Sequence, residues 1–168
     1  MSLSAIFRRW DCGGFTLTEV LVTIAVMVVM TGVGYSGYSS WQRREQARAA
    51  AYDLAGHLKE ARFRTLEKNV AHTTVFNGNT YTVFADSNGN LTLDPGERTL
   101  YQVNVSQKNP GVTVTAPEGL IIHYDGRGTI SFRDSVNANL LGATISFANR
   151  ENTYTVTISS LGRIKIEP

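Results

Sequence analysis

The sequence predicts an α+β fold: a long N-terminal helix, transmembrane in its first half and amphipathic in its second, packed on an antiparallel β-sheet domain. Three observations carry that expectation. Between Phe15 and Tyr35 the chain holds a single charged residue, Glu19, in an otherwise apolar run. Between Gln42 and Lys68 apolar residues recur at helical steps with charges filling much of the remainder. From Val70 onward apolar and polar residues alternate, the period of a strand with one buried face. A helix followed by a run of antiparallel strands is the α+β arrangement, and no second domain, linker, repeat or low-complexity tract interrupts it.

The apolar run comes first. From Phe15, about 20 mostly apolar residues reach Gly34 and Tyr35, and at about 1.5 Å rise each they span roughly 30 Å, the thickness of a bilayer core. Arg8 and Arg9 precede the run, so a secretory signal peptide is a rival reading. Glu19 inside the apolar segment and the lack of an A-x-A-like site speak against it; Ser36-Gly37 would be a poor cleavage site. Cutting at Gly13-Gly14 would remove only the polar leader and keep the helix. Cys12 makes a poor lipid-attachment site, because the apolar run follows it rather than preceding it.

Gly14-Phe15-Thr16-Leu17-Thr18-Glu19 resembles the processing site of type IV pilins and type II secretion pseudopilins. The resemblance implies a prepilin peptidase that cuts between Gly14 and Phe15 and methylates the new amine of Phe15. Glu19 has two readings. A carboxylate in a membrane segment costs a few kcal/mol unless paired, so it marks function by default. Thr16-x-x-Glu19 also fits a capping box at a helix start. By the resemblance, Glu19 meets the free amine of a neighbouring pilin during filament assembly.

After Met30, three glycines in six residues (Gly32, Gly34 and Gly37) mark where a long helix would bend or melt, each costing about 1 kcal/mol relative to alanine. The pilin family often has a proline near position 36, where this chain has serine, so a kink stays open. Tyr35, Tyr38 and Trp41 suit a membrane interface, and Arg43-Arg44 begin the polar surface. Arginine pairs flank both ends of the span, so the leader must dominate for the C-terminal part to face outward.

The helical period continues through Ala47, Ala50, Leu54, Leu58, Ala61 and Leu66, a small-residue stripe suited to lying on a sheet. With the span it makes one helix of about 54 residues, roughly 80 Å long. The expected organisation is therefore a leader at 1–14, a transmembrane helix half at 15–38, an amphipathic half at 39–69 and a β domain at 70–168. Strands are expected at Thr80–Phe84, Leu100–Val105, Leu120–Tyr124, Thr129–Phe132, Thr144–Phe147, Tyr154–Ile158 and Arg163–Glu167. Asp125-Gly126-Arg127-Gly128 reads as a hairpin turn. This layout resembles the minor pseudopilins of the GspH/FimT family, most clearly at the N-terminal motif and at Ser159–Ile166.

Charge gives little away: from Phe15 on there are 14 basic and 13 acidic residues, so any nucleic-acid function must come from a local patch. Cys12 is the sole cysteine and lies in the expected leader, so no disulfide forms within the processed chain. His57, His72 and His123 are isolated in sequence, and no H-x-x-x-H or G-x-S-x-G occurs, so neither a metal centre nor a nucleophile-base pair is expected and the chain reads as a non-enzyme.

Two stretches could still bind something. Asp86, Asn88, Asn90, Asp94 and Glu97 fall at positions 1, 3, 5, 9 and 12 of an EF-hand-like loop, which makes calcium possible. Leu91 stands where that loop needs glycine, and the alternative is a long connection rich in turn-forming residues. Arg163 and Lys165 share one face of the last strand. In the FimT branch a G-R-x-R pattern at this place is implicated in DNA binding during uptake; here lysine replaces the second arginine, weakening forked phosphate contacts. Arg150 is a candidate third member. The same cations would equally guard an edge strand against pairing.

The resemblance thus implies a minor pilin or pseudopilin of a type II secretion system or type IV pilus. It would be a single-pass protein of the bacterial inner membrane with its β domain in the periplasm. Its partners would be other pilins of the filament, the prepilin peptidase and, in the alternative reading, DNA taken up in transformation.

Overall fold

The computed structural model describes residues 14–136 and 140–168, the side chains of 33–36 apart. Residues 1–13 of the expected leader, with Arg8, Arg9 and Cys12, lie outside the described residues, as do the side chains of Tyr35 and Ser36. One helix, α1, runs Leu17–Lys68. Its backbone stays helical through Gly32, Gly34 and Gly37. Thr16 starts it: its carbonyl accepts from the amides of Glu19 and Val20, and its hydroxyl from Glu19. Asn69 ends it in the left-handed region at φ 54°, a conformation that asparagine tolerates as a helix stop.

The chain divides into two compact units, Met1–Ser39 and Ser40–Pro168. The first contributes the apolar part of α1, whose side chains from Leu17 to Met30 are exposed all around the helix. In water that is unfavourable; it is what a helix passing through lipid requires.

Among the described residues the second unit holds the remainder of α1 and nine strands: β1 His72–Asn77, β2 Thr80–Ala85, β3 Thr99–Asn104, β4 Thr113–Thr115, β5 Ile121–Tyr124, β6 Ile130–Arg133, β7 Gly142–Ala148, β8 Thr153–Ser159 and β9 Ile164–Glu167. A four-residue helix, α2 Val105–Lys108, follows β3 and takes up Val105, which the alternation assigns to a strand. Two antiparallel sheets result, ordered β3-β2-β1-β5-β6 and β4-β7-β8-β9. Ala47, Ala50, Ala51, Leu54, Leu58 and Ala61 of α1 share one core with Phe76, Tyr81, Val83, Ile122, Tyr124 and Phe132 of the first sheet and Ile145, Phe147, Val156 and Ile158 of the second. Small residues on α1 let the helix backbone approach both sheets.

One expected stripe residue is misplaced. Leu66 is 58% exposed, and Thr65 takes the inward position at 0%. The helical period explains it, since Ala61 to Thr65 is a four-residue step and Leu66 a fifth. The Thr65 hydroxyl is satisfied by donating to the Ala61 carbonyl at 2.9 Å. Leu66 instead covers the β5–β6 turn, where its Cδ2 stands 2.7 Å from the position of a Cβ on Gly128, itself at φ 78°.

Candidate functional site

At the N-terminal site, Gly14, Phe15 and Thr16 lie in exposed, non-helical backbone directly before α1. Phe15 is 84% exposed. A peptide bond must be accessible to enter a protease, and Gly14–Phe15 lies in exposed backbone outside the helix.

Within the span, hydroxyls are satisfied locally. Thr16 and Thr18 share a hydrogen bond at 3.1 Å, Thr23 donates to the Val20 carbonyl at 2.8 Å and Thr31 to the Met27 carbonyl at 2.7 Å. That is how hydroxyls persist in an apolar medium. The Glu19 carboxylate is the exception: it has no hydrogen bond or ion pair among the described residues. Only half of the capping box forms, because the Glu19 amide donates to the Thr16 hydroxyl at 3.2 Å without the reciprocal bond from the carboxylate.

The 86–97 loop is closed on itself. Asp86 is 1% exposed, and its Oδ1 accepts from the Gly89 amide at 2.7 Å while Oδ2 accepts from the Leu91 amide at 3.0 Å and the Thr73 hydroxyl at 2.9 Å. Asp94 Oδ2 accepts from the side-chain amides of Asn88 and Asn90 at 2.8 and 2.6 Å. Glu97 caps the amides of Ser87 and Asp94. The loop carboxylates are thus engaged by the loop's own N–H groups, and among the described residues no group of three or more His, Cys, Asp or Glu side chains is placed to hold a metal. Leu91 does adopt the left-handed conformation that glycine serves in such loops, at φ 65°.

Asp86 also reaches across the sheet. Because a carboxylate only accepts, the Thr73 hydroxyl must spend its proton on Asp86 and so accept from His123 Nδ1 at 2.8 Å, which fixes the Nδ1–H tautomer. Burial pushes the His123 imidazole below its ordinary 6.5, against the pull of Asp86 and Asp125. The ring is therefore neutral near pH 7, and its 3.8 Å approach to Asp86 is not an ion pair. His57 also has partners: Nδ1 meets the Tyr81 hydroxyl at 2.9 Å, and the ring stacks on Tyr101 at 3.9 Å. Both histidines tie secondary-structure elements together.

At the C-terminus, Lys165 and Glu167 are exposed on edge strand β9 and Arg163 is exposed immediately before it, while Ile164 and Ile166 pack on the core. Lys165 is tied to Glu167 at 2.5 Å. Arg150 does not join them. It sits in the β7–β8 turn, at the other end of β8 from Arg163, about 23 Å away for seven residues of strand. Its place is taken by Arg62 of α1, whose Nη1 lies 2.8 Å from where a Cβ on Gly162 would stand. Sequence spacing held no sign of that contact, which arises only from packing α1 against the second sheet.

Family comparison matches residues 50–162 to the type II transport protein GspH, two thirds of the chain. The chain belongs to the GspH family. A second match, to the prokaryotic N-terminal methylation motif, covers residues 11–35 and so includes Gly14, Phe15 and Glu19. No curated protein matches the sequence. Among solved structures this GspH-family fold resembles the type IV minor pilin FimU of Pseudomonas aeruginosa (TM-score 0.54, 16% identity, 76% of this chain and 92% of that one). It also resembles the minor pseudopilin EpsH from the Type 2 Secretion System of Vibrio cholerae (TM-score 0.52, 13% identity, 73% of this chain and 96% of that one). Arg163 and Lys165 lie just beyond the GspH match.

Proposed function

We propose that this GspH-family member is a minor subunit of a type II secretion or type IV pilus filament, cut between Gly14 and Phe15 and methylated on the Phe15 amine. Its apolar helix anchors it once in the inner membrane with the β domain in the periplasm, and assembly brings Glu19 to the amine of a neighbouring subunit. One observation carries this reading: Glu19 is the sole side chain between Leu17 and Gly32 whose polar group has no partner among the described residues, while the hydroxyls around it are satisfied. A lipid-buried carboxylate needs a cation, and the cut would create one on each subunit. Mass spectrometry of the processed protein tests the first step; a mature N-terminus other than methylated Phe15 overturns it.

DNA capture is the second reading, favoured by one contact. Arg62 beside the Gly162 turn adds a cation to Arg163 and Lys165 that the linear motif lacks. Phosphate contacts of this number give weak, salt-sensitive binding. Mobility-shift measurements at low salt, with Arg62 and Arg163 reversed to glutamate, decide it: unaltered binding, or none in the parent, removes the reading.

A further inference from the structure

The end of the β domain where α1 enters carries a second arginine cluster. Arg43 Nε and Nη2 donate to Glu151 Oε1 at 2.9 and 2.8 Å, and Arg44 Nε reaches Oε2 of the same carboxylate at 3.4 Å. The β7–β8 turn is held there a second time by Asn149, whose side-chain amide donates to the Arg43 carbonyl. Asn149 also orders the turn, its Oδ1 accepting from the amides of Glu151 and Asn152 at 3.0 and 2.9 Å. Arg150 stands exposed on this pinned turn. One carboxylate is thus shared by two guanidinium groups that stay 43% and 63% exposed, and Arg150 adds a third cation. Trp41, 59% exposed, lies two residues before Arg43 on the same helix, and the uncharged run of the sequence ends just upstream.

Exposed tryptophan followed by arginines, at the edge of an apolar helix, matches the headgroup layer of a bilayer. A cation on a strand turn far away in sequence has no part in that linear pattern. We infer that Arg43, Arg44 and Arg150 form one surface, set by Glu151 and Asn149, that docks the β domain against anionic phospholipid headgroups of the membrane its helix spans. Glu151 holds the two helix arginines level with the turn without cancelling them. Docking keeps the unassembled subunit on the bilayer, and high salt loosens it because exposed charges are screened over about 8 Å at physiological ionic strength.

This inference rests on the membrane-anchor reading, so its test separates the two. The full chain, with Cys12→Ser and a nitroxide on Thr153→Cys at the exposed start of β8, is reconstituted in phosphatidylcholine vesicles with or without phosphatidylglycerol. A headgroup-bound nickel chelate reports proximity by broadening the nitroxide signal. Broadening is expected only with phosphatidylglycerol, and Arg150→Gln should lower the docked-to-free ratio about fivefold, the weight of one cation at an anionic surface. Equal broadening in both lipids, or none of the Arg150→Gln effect, overturns the docking surface. Alkaline washing of the same vesicles reads the anchor: protein that stays bound leaves any negative result charged to docking alone, whereas protein washed off overturns both.

Discussion

The Glu19 amide donates to the Thr16 hydroxyl at 3.2 Å, yet the Glu19 carboxylate returns nothing to Thr16. Cap and carboxylate are thereby separable. Thr16→Ala removes an N-cap and should cost the helix about 1 kcal/mol of local stability while leaving assembly intact. Glu19→Gln keeps the cap and removes the charge, and should abolish co-purification with partner pilins while membrane insertion persists. Equal loss of co-purification in both variants would mean that the helix start, not the charge, is what the partners read.

Asp86 predicts the stability of the loop. Asp86→Ala strips the acceptor from the buried Thr73 hydroxyl and from the amides of Gly89 and Leu91, three bonds made by a carboxylate that is itself buried. Loss on this scale should cost roughly 3 kcal/mol or more, seen as a lower denaturation midpoint. Because the loop's carboxylates already hold its own amides, the parent should melt at the same temperature in calcium and in chelator. A calcium-dependent rise that disappears in Asp86→Ala would instead assign the loop to an ion.

Acid should weaken the domain through its histidines. Burial lowers the pKa of His57, His72 and His123 from the ordinary 6.5; for His72, 3% exposed, the Val70 carbonyl opposes the shift and the Arg64 and Lys68 charges add to it. The folded state therefore binds fewer of these protons than the unfolded chain. Stability is complete above about pH 6.5 and falls as pH drops toward the lowered folded values. Melting scans from pH 7.5 to 5 check the direction, and His72→Asn should flatten the slope.

How far the sequence reveals this arrangement depends on the range of the interaction. The α1 stripe and most strands are visible because periods of 3.6 and 2 are local, and Asp125–Gly128 reads as a turn because its glycines and Asx bonds are local too: Asp125 Oδ1 accepts from Arg127 and Thr129. β4 is three residues long, too short for its period to declare it. The Arg62–Gly162, His123–Thr73 and Glu151–Arg43 contacts join residues from 50 to 108 positions apart, and nothing in the spacing announces them. Arg150 is legible as a surface cation but not as a neighbour; pairing of β8 with both β7 and β9 sends the two turns to opposite ends.

Gly142 gives the strictest packing test. It opens β7 opposite Ser159, and a Cβ there would stand 2.6 Å from the Ile158 carbonyl oxygen, a backbone atom that cannot swing aside. Gly142→Ala must therefore push β7 away from β8 at the point where both strands feed Ala143, Ile145, Val156 and Ile158 into the core. Alanine would ordinarily favour the folded state by restricting the unfolded chain, by about 0.4–1 kcal/mol. The clash should outweigh that and leave a net loss of about 1–3 kcal/mol, measured by denaturant unfolding. Gly56, exposed on α1 with nothing within 4 Å of its Cβ position, is the control. Gly56→Ala should stabilise by up to about 1 kcal/mol, since the same substitution there meets open space inside a helix. Opposite signs for the two variants follow if β7 and β8 approach as closely as described; a stabilised Gly142→Ala would mean that they do not.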